Sequence, residues 1–147
     1  MAANPILRAA GRPSPHAARL ARPLLLEAVQ AGFPSPADDY LDTALDLNEH
    51  LVENPAATFF MRAAGDSMEG AGVRDGDILV VDRARQPRQG SIVVASVHGE
   101  LTVKRFRTRD GRALLLPENP DYAPLVLDGD EELDIWGVVT FVIHKAG

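Results

Sequence analysis

Cysteine is absent from the 147 residues, so disulfides and thiolate metal sites are excluded. That absence fits a reducing cytoplasm, which is the expected location. Lysine is nearly absent too: Lys104 and Lys145 stand against 13 arginines. No apolar run approaches the roughly 18 residues of a membrane span. The one leader-like stretch, "PLLLEAV", closes at Glu27 after three leucines and is too short for a secretory signal. The first 26 residues carry no acid, a bias shared with transit peptides.

What is present is enough for one compact core: 46% of residues are hydrophobic, which suits one domain plus an appendage. The net charge of −6 argues against a nonspecific nucleic-acid binder, because phosphates attract basic surfaces. The charge is unevenly spread. Residues 1–31 hold Arg8, Arg12, Arg19 and Arg22 against Glu27, whereas the other residues hold 11 basic and 20 acidic side chains. A basic arm is therefore joined to an acidic body.

Pro5, Pro13, Pro15 and Pro23 interrupt the arm, and no periodicity is sustained there, so it reads as flexible or extended. "FPSPADDY" (33–40) is held extended by its prolines. "DLNEHLVEN" (46–54) predicts a two-turn helix capped by Asp46, with Leu47 and Leu51 on one face. From residue 57 onward, "ATFFMRAA", "DILVVDR", "SIVVASV", "LTVKRF", "ALLLP" and "LDIWGVVTFVIH" are short β-prone runs separated by glycine, proline or aspartate. The expected fold is mostly β, a small barrel or sandwich of mainly antiparallel strands with one or two short helices.

One register can be derived. "SIVVASV-HG-ELTVKRF" predicts two strands joined by His98-Gly99, so residues whose numbers sum to 197 lie opposite one another. Lys104 then faces Val93 and shares a face with Thr102 and Phe106. Its surroundings are apolar if that face is the inner one; if not, it is an ordinary solvated lysine.

"AAGDSMEGAGVRDGD" (63–77) raises the question of a nucleophile at Ser67. A nucleophile elbow needs glycine where Glu69 stands. GDS-type esterases need a downstream aspartate and histidine two residues apart, and Asp46 with His50 lies upstream. His16, His50, His98 and His144 make neither a metal set nor an obvious triad base. The acidic run "DGDEELD" (128–134) has Leu133 where a calcium loop needs glycine, so it reads as a solvated turn. A lysine remains as base. Holding a lysine neutral at pH 7 costs roughly 4–5 kcal/mol, and burial among apolar groups lowers that cost. Lys145 lies close to the C-terminus, which leaves Lys104. The plain alternative is a turn serine and a strand lysine.

The ordered set "AGFPSPADDY" (31–40), "DLNEHLVENPAATFF" (46–60), "AAGDSMEGAGVRDGDILVVDRA" (63–84) and "GSIVVASVHGELTVKRF" (90–106) resembles the UmuD-type members of the LexA-like self-cleaving serine peptidase family. "LDIWGVVTFVIH" (133–144) is similar to that family's closing strands. The resemblance implies Ser67 as nucleophile and Lys104 as general base. It implies a cut between Ala31 and Gly32, and oxyanion donors at the backbone N–H groups of Asp66 and Ser67. The chain would then divide into a removable arm, 1–31, and a LexA-like peptidase body, 32–147. By the same resemblance the partners are a second copy in a homodimer, a RecA–single-stranded DNA filament that stimulates cleavage, and a UmuC-type translesion polymerase. No metal or organic cofactor is implied. The resemblance does not reach residues 1–23.

Two other readings stand beside it. A repressor of the LexA or phage type needs a helix-turn-helix unit ahead of the cut, which 31 residues with four prolines do not supply. No direct sequence-specific DNA binding is therefore expected. A polymerase-binding subunit that does not cleave would keep both residues without their chemistry.

Overall fold

The computed structural model describes residues 8–25, 41–127 and 133–147. Its elements are β1 (Arg8–Gly11), β2 (Ala21–Leu25), β3 (Leu41–Asp46), α1 (Leu47–Leu51), β4 (Thr58–Arg62), β5 (Ile78–Asp82), β6 (Ile92–Val97), β7 (Glu100–Arg109), β8 (Arg112–Leu116), β9 (Leu125–Leu127) and β10 (Leu133–Ile143). The fold is mostly β, as expected. Eight strands form one sheet in the order β1-β4-β5-β10-β6-β7-β8-β9, and β2 and β3 pair separately. Every described pairing is antiparallel. No described helix is long and apolar enough to cross a membrane.

The hairpin at His98-Gly99 forms with both residues at positive φ, 52° and 81°, matching the twist of the strands it joins. Asp110-Gly111 makes the same kind of turn between β7 and β8, at φ 53° and 74°. In the first hairpin Lys104 stands opposite Val93, the register derived above.

Side-chain alternation gives the sheet a packed core on both faces. Val94 and Val103 belong to a cluster with Met61, Leu79 and Val81, which the connection after β4 completes with Ala63, Met68 and Val73. Val93, Ala95 and Val97 belong to the other cluster, with Leu115, Leu127 and Val138. β10 lies between β5 and β6 and shifts register near Gly137. A Cβ at Gly137 would fall 2.6 Å from Val81 Cγ1, so the strand passes too close there for any side chain.

Helix α1 starts where the cap was read: the Asp46 carboxylate accepts from the N–H groups of Asn48 (2.9 Å) and Glu49 (3.3 Å). It stops at Leu51, one turn sooner than the sequence suggested, and buries no residue. Two described segments of the arm are paired strands. Arg8–Gly11 adds to β4, and Ala21–Leu25 pairs with β3. The expected cut at Ala31-Gly32, the segment 33–40 and most of the acidic run 128–134 lie outside the described residues.

Candidate active site

Ser67 lies in the connection between β4 and β5, just before a single 3-10 turn at Glu69–Ala71. Two backbone hydrogen bonds close the base of this loop: Ala63 N–H to Asp77 O (2.8 Å) and Gly76 N–H to Ala63 O (2.8 Å). Met68 pins its centre. The side chain is buried in the core, and its carbonyl accepts from Ala71 (3.0 Å) and Val73 (3.2 Å). Ser67 is thus held between a strand end and a buried anchor rather than on a free loop.

A second segment, after β8, grips the same turn. Glu118 N–H donates to Ser67 O at 2.8 Å, and Gly70 N–H donates to Glu118 O at 2.8 Å. Asn119 Nδ2 donates to Asp66 O at 3.0 Å, and the Tyr122 hydroxyl donates to the Asp66 carboxylate at 2.6 Å. That bond, with the negative charge of Asp66 beside it, pushes the Tyr122 phenol up. Gly70 is needed for the grip, since a Cβ there would meet Glu118 O at 2.6 Å. Arg105, the residue after Lys104, pairs with the Glu118 side chain and donates to Gly90 O at 2.6 Å. The grip is thereby tied to β7.

Lys104 projects from β7 and is fully buried, at 0% exposure; Ser67 is at 1%. Lys104 Nζ donates to Ser67 Oγ at 3.1 Å and to Thr102 Oγ1 at 3.0 Å. Thr102 is the same-face neighbour two residues back, itself buried. The Tyr122 ring centroid lies 6.0 Å from Nζ. No carboxylate pairs with Nζ among the described residues. Burial without a counter-charge favours the neutral amine and lowers the Lys104 pKa from 10.5 to about 8. At pH 7 about a tenth of the amine is then neutral.

Among the described residues, the backbone N–H groups of Asp66 and Ser67 donate to no acceptor. Two adjacent donors in a fixed turn can receive a developing oxyanion. The Asp66 carboxylate is engaged by Tyr122, and its carbonyl by Asn119 and Glu69.

His144 pairs with an acid, as a triad base would, but also with a cation. Its Nδ1 lies 2.7 Å from the buried Asp77 carboxylate, and Arg74 Nη1 lies 3.1 Å from its Nε2. Because a guanidinium only donates, Nε2 accepts and Nδ1 carries the proton. Arg74, and no described serine, takes the place that a triad nucleophile would hold. No described group of histidines and acids could hold a metal ion.

Sequence reasoning named Thr102 only as a neighbour and missed the grip by Glu118, Asn119 and Tyr122. "PENPDY" (117–122) carries turn residues, but nothing local says which distant loop it will touch.

Comparison by sequence finds known proteins similar to this chain. Residues 23–140 match the Peptidase S24-like family. Protein SamA of Salmonella typhimurium is 54% identical over 123 residues, covering 84% of this chain and 85% of that protein. Protein ImpA of Escherichia coli is 51% identical over 125 residues, covering 84% of each. LexA repressor 1 of Pseudomonas syringae is 40% identical over 118 residues, which is 80% of this chain but 58% of the repressor. By match and identity over most of its length, the chain belongs to the Peptidase S24-like family of self-cleaving serine peptidases.

Proposed function

We propose that the chain is a DNA-damage-response protein of the UmuD type that cuts its own backbone between Ala31 and Gly32. The observation that carries this reading is the buried contact of 3.1 Å between Lys104 Nζ and Ser67 Oγ. In the protonated lysine that contact runs from nitrogen to oxygen. In the neutral amine it reverses, and the serine hydroxyl donates to the lone pair.

The reaction follows from that reversal. Neutral Lys104 takes the Ser67 proton as Oγ attacks the Ala31 carbonyl carbon, and the oxyanion forms against the N–H groups of Asp66 and Ser67. As the C–N bond breaks, protonated Lys104 returns the proton to the departing Gly32 amine. Water, deprotonated by Lys104, then hydrolyses the acyl-serine. The products are an arm ending in the Ala31 carboxylate and a body beginning at Gly32. Thr102 orients the amine, while the grip of residues 118–122 keeps the two donors in place. The Asp66 carboxylate takes no part in the chemistry.

Because the arm is tethered to its own peptidase, its local concentration is high, and a mostly protonated Lys104 restrains the reaction at neutral pH. A RecA–single-stranded DNA filament is the relieving partner. The trimmed chain acts as a homodimer, the accessory subunit of a UmuC-type translesion polymerase in the cytoplasm. The match supports this reading over a repressor, since it spans 85% of SamA and 58% of the LexA repressor. Intact-mass analysis of purified protein tests the bond. Fragments meeting at Ala31 and Gly32, absent in Ser67→Ala and Lys104→Ala, are expected; any other junction refutes the assignment.

A further inference from the structure

Strand β1 is the last strand at one end of the eight-stranded sheet, antiparallel to β4 with Arg8, Ala9 and Gly11 opposite Arg62, Met61 and Phe60. It belongs to the part of the chain that the proposed cut releases. Without it, among the described strands, β4 has β5 on one side and an unpaired row of N–H and C=O groups on the other.

The arm is also held by a side chain. After β1, Arg12 donates from Nη2 to Ala56 O at 2.8 Å, and its guanidinium lies 4.7 Å above the Phe59 ring. Phe59 meets Trp136 edge to face at 5.0 Å, and Arg83 covers Trp136 at 4.5 Å. Arg83 belongs to the body and stays after the cut, whereas Arg12 leaves with the arm. The cut would therefore strip both a backbone partner and an aromatic cover from one place. Tethered, a four-residue strand needs little affinity to stay seated; released, it loses the high effective concentration that kept it there.

We propose that the outer edge of β4, with Phe59 beneath it, is a strand-acceptor site for an extended, arginine-bearing segment of a partner protein. The chain's own arm fills it until the arm is cut. Added strands draw affinity from backbone hydrogen bonds and specificity from one or two side-chain seats. The seat here suits a guanidinium, which the Phe59 face and the Ala56 carbonyl recognise together. A trimmed copy has no arm to offer, so the occupant comes from another protein. The timing of exposure rests on the proposed self-cleavage; the site itself does not.

The test uses Ser67→Ala throughout, so that cleavage plays no part. A labelled peptide of residues 6–14 is titrated against the full chain and against the same chain with Ala9→Pro and Arg12→Ala, which unseat its arm. Hydrogen exchange of the β4 amides verifies the unseating, and a triple mutation that increases β4 exchange is the one used. Saturable binding is expected to the unseated chain and at least tenfold weaker binding to the seated one. The peptide carrying Arg12→Ala should bind the unseated chain about tenfold more weakly. Equal binding to both chains, no binding to the unseated chain, or indifference to Arg12 in the peptide would each overturn the proposal. So would self-association of the unseated chain through β4, which would make a second copy the occupant.

Discussion

Lys104 is a cost to the fold as well as a tool. A buried ammonium with no described carboxylate beside it destabilises the native state, and burial lowers its pKa to about 8. The unfolded chain keeps the ordinary value of 10.5. Between those values the unfolded state binds more protons than the native one, so this residue makes stability rise with pH from about 8 to about 10.5. Lys104→Met removes the penalty. The variant is expected to be more stable than the parent at pH 7, with the gap shrinking by on the order of 3 kcal/mol by pH 10.5. Urea midpoints of the two proteins across that range measure it, using Ser67→Ala in both to keep the chains uncut. A constant gap would mean that Lys104 titrates normally. Tyr122 does not disturb the comparison below its own titration, because its hydrogen bond to Asp66 holds the phenol above its usual value.

The turn that carries Ser67 depends on its neighbours as much as on its own residues. Gly70 lies where any Cβ would press 2.6 Å from Glu118 O, a backbone atom that cannot swing aside. Gly70→Ala is expected to cost about 1–3 kcal/mol by crowding, and to slow self-cleavage because the same shift moves Ser67. Denaturation midpoints and fragment yield would record the two effects; unchanged cleavage would show that the grip does not position the serine. At the start of α1, Asp46 accepts from Leu20 as well as from two helix N–H groups, and the Leu20 bond is the first cause that lowers its pKa. That contribution to stability is present above the usual carboxylate range and is lost as pH falls through the lowered value. Asp46→Asn should therefore lower stability at pH 7 and converge with the parent in acid, as thermal melts would reveal.

These elements differ in how far they could be read in advance. The register around Lys104 was legible because a two-residue turn fixes both strands, and period-two alternation then assigns each side chain. The Asp46 cap was legible for a similar reason: its partners lie two and three residues away. β1 and β2 were not, because small residues and prolines give no alternation and their pairing runs through the backbone. β9, three residues long, is too short for a period to register. The grip on Ser67 joins residues about 50 apart in sequence, and no local pattern encodes it. Ser67 and Lys104 could be paired by eliminating other bases and then by the resemblance, but their spacing of 3.1 Å could not be read.

Across the whole molecule, the sheet buries Lys104 on β7, a loop after β4 presents Ser67, and a third segment locks that loop. The arm contributes its first strand to the sheet edge farthest from β9. The central claim is that the neutral form of Lys104, favoured by burial, activates Ser67, and the dependence of the self-cleavage rate on pH tests it most directly. Purified protein is incubated alone from pH 6 to pH 10.5, and the first-order rate is read from intact mass. A pKa of about 8 predicts a rate that rises about tenfold from pH 7 to pH 9 and is nearly level above it. Ser67→Ala and Lys104→Ala should be silent throughout. A rise of about a thousandfold continuing to pH 10 would mean an ordinary exposed lysine. Cleavage that survives in Lys104→Ala, or a parent chain intact at every pH, would contradict the account.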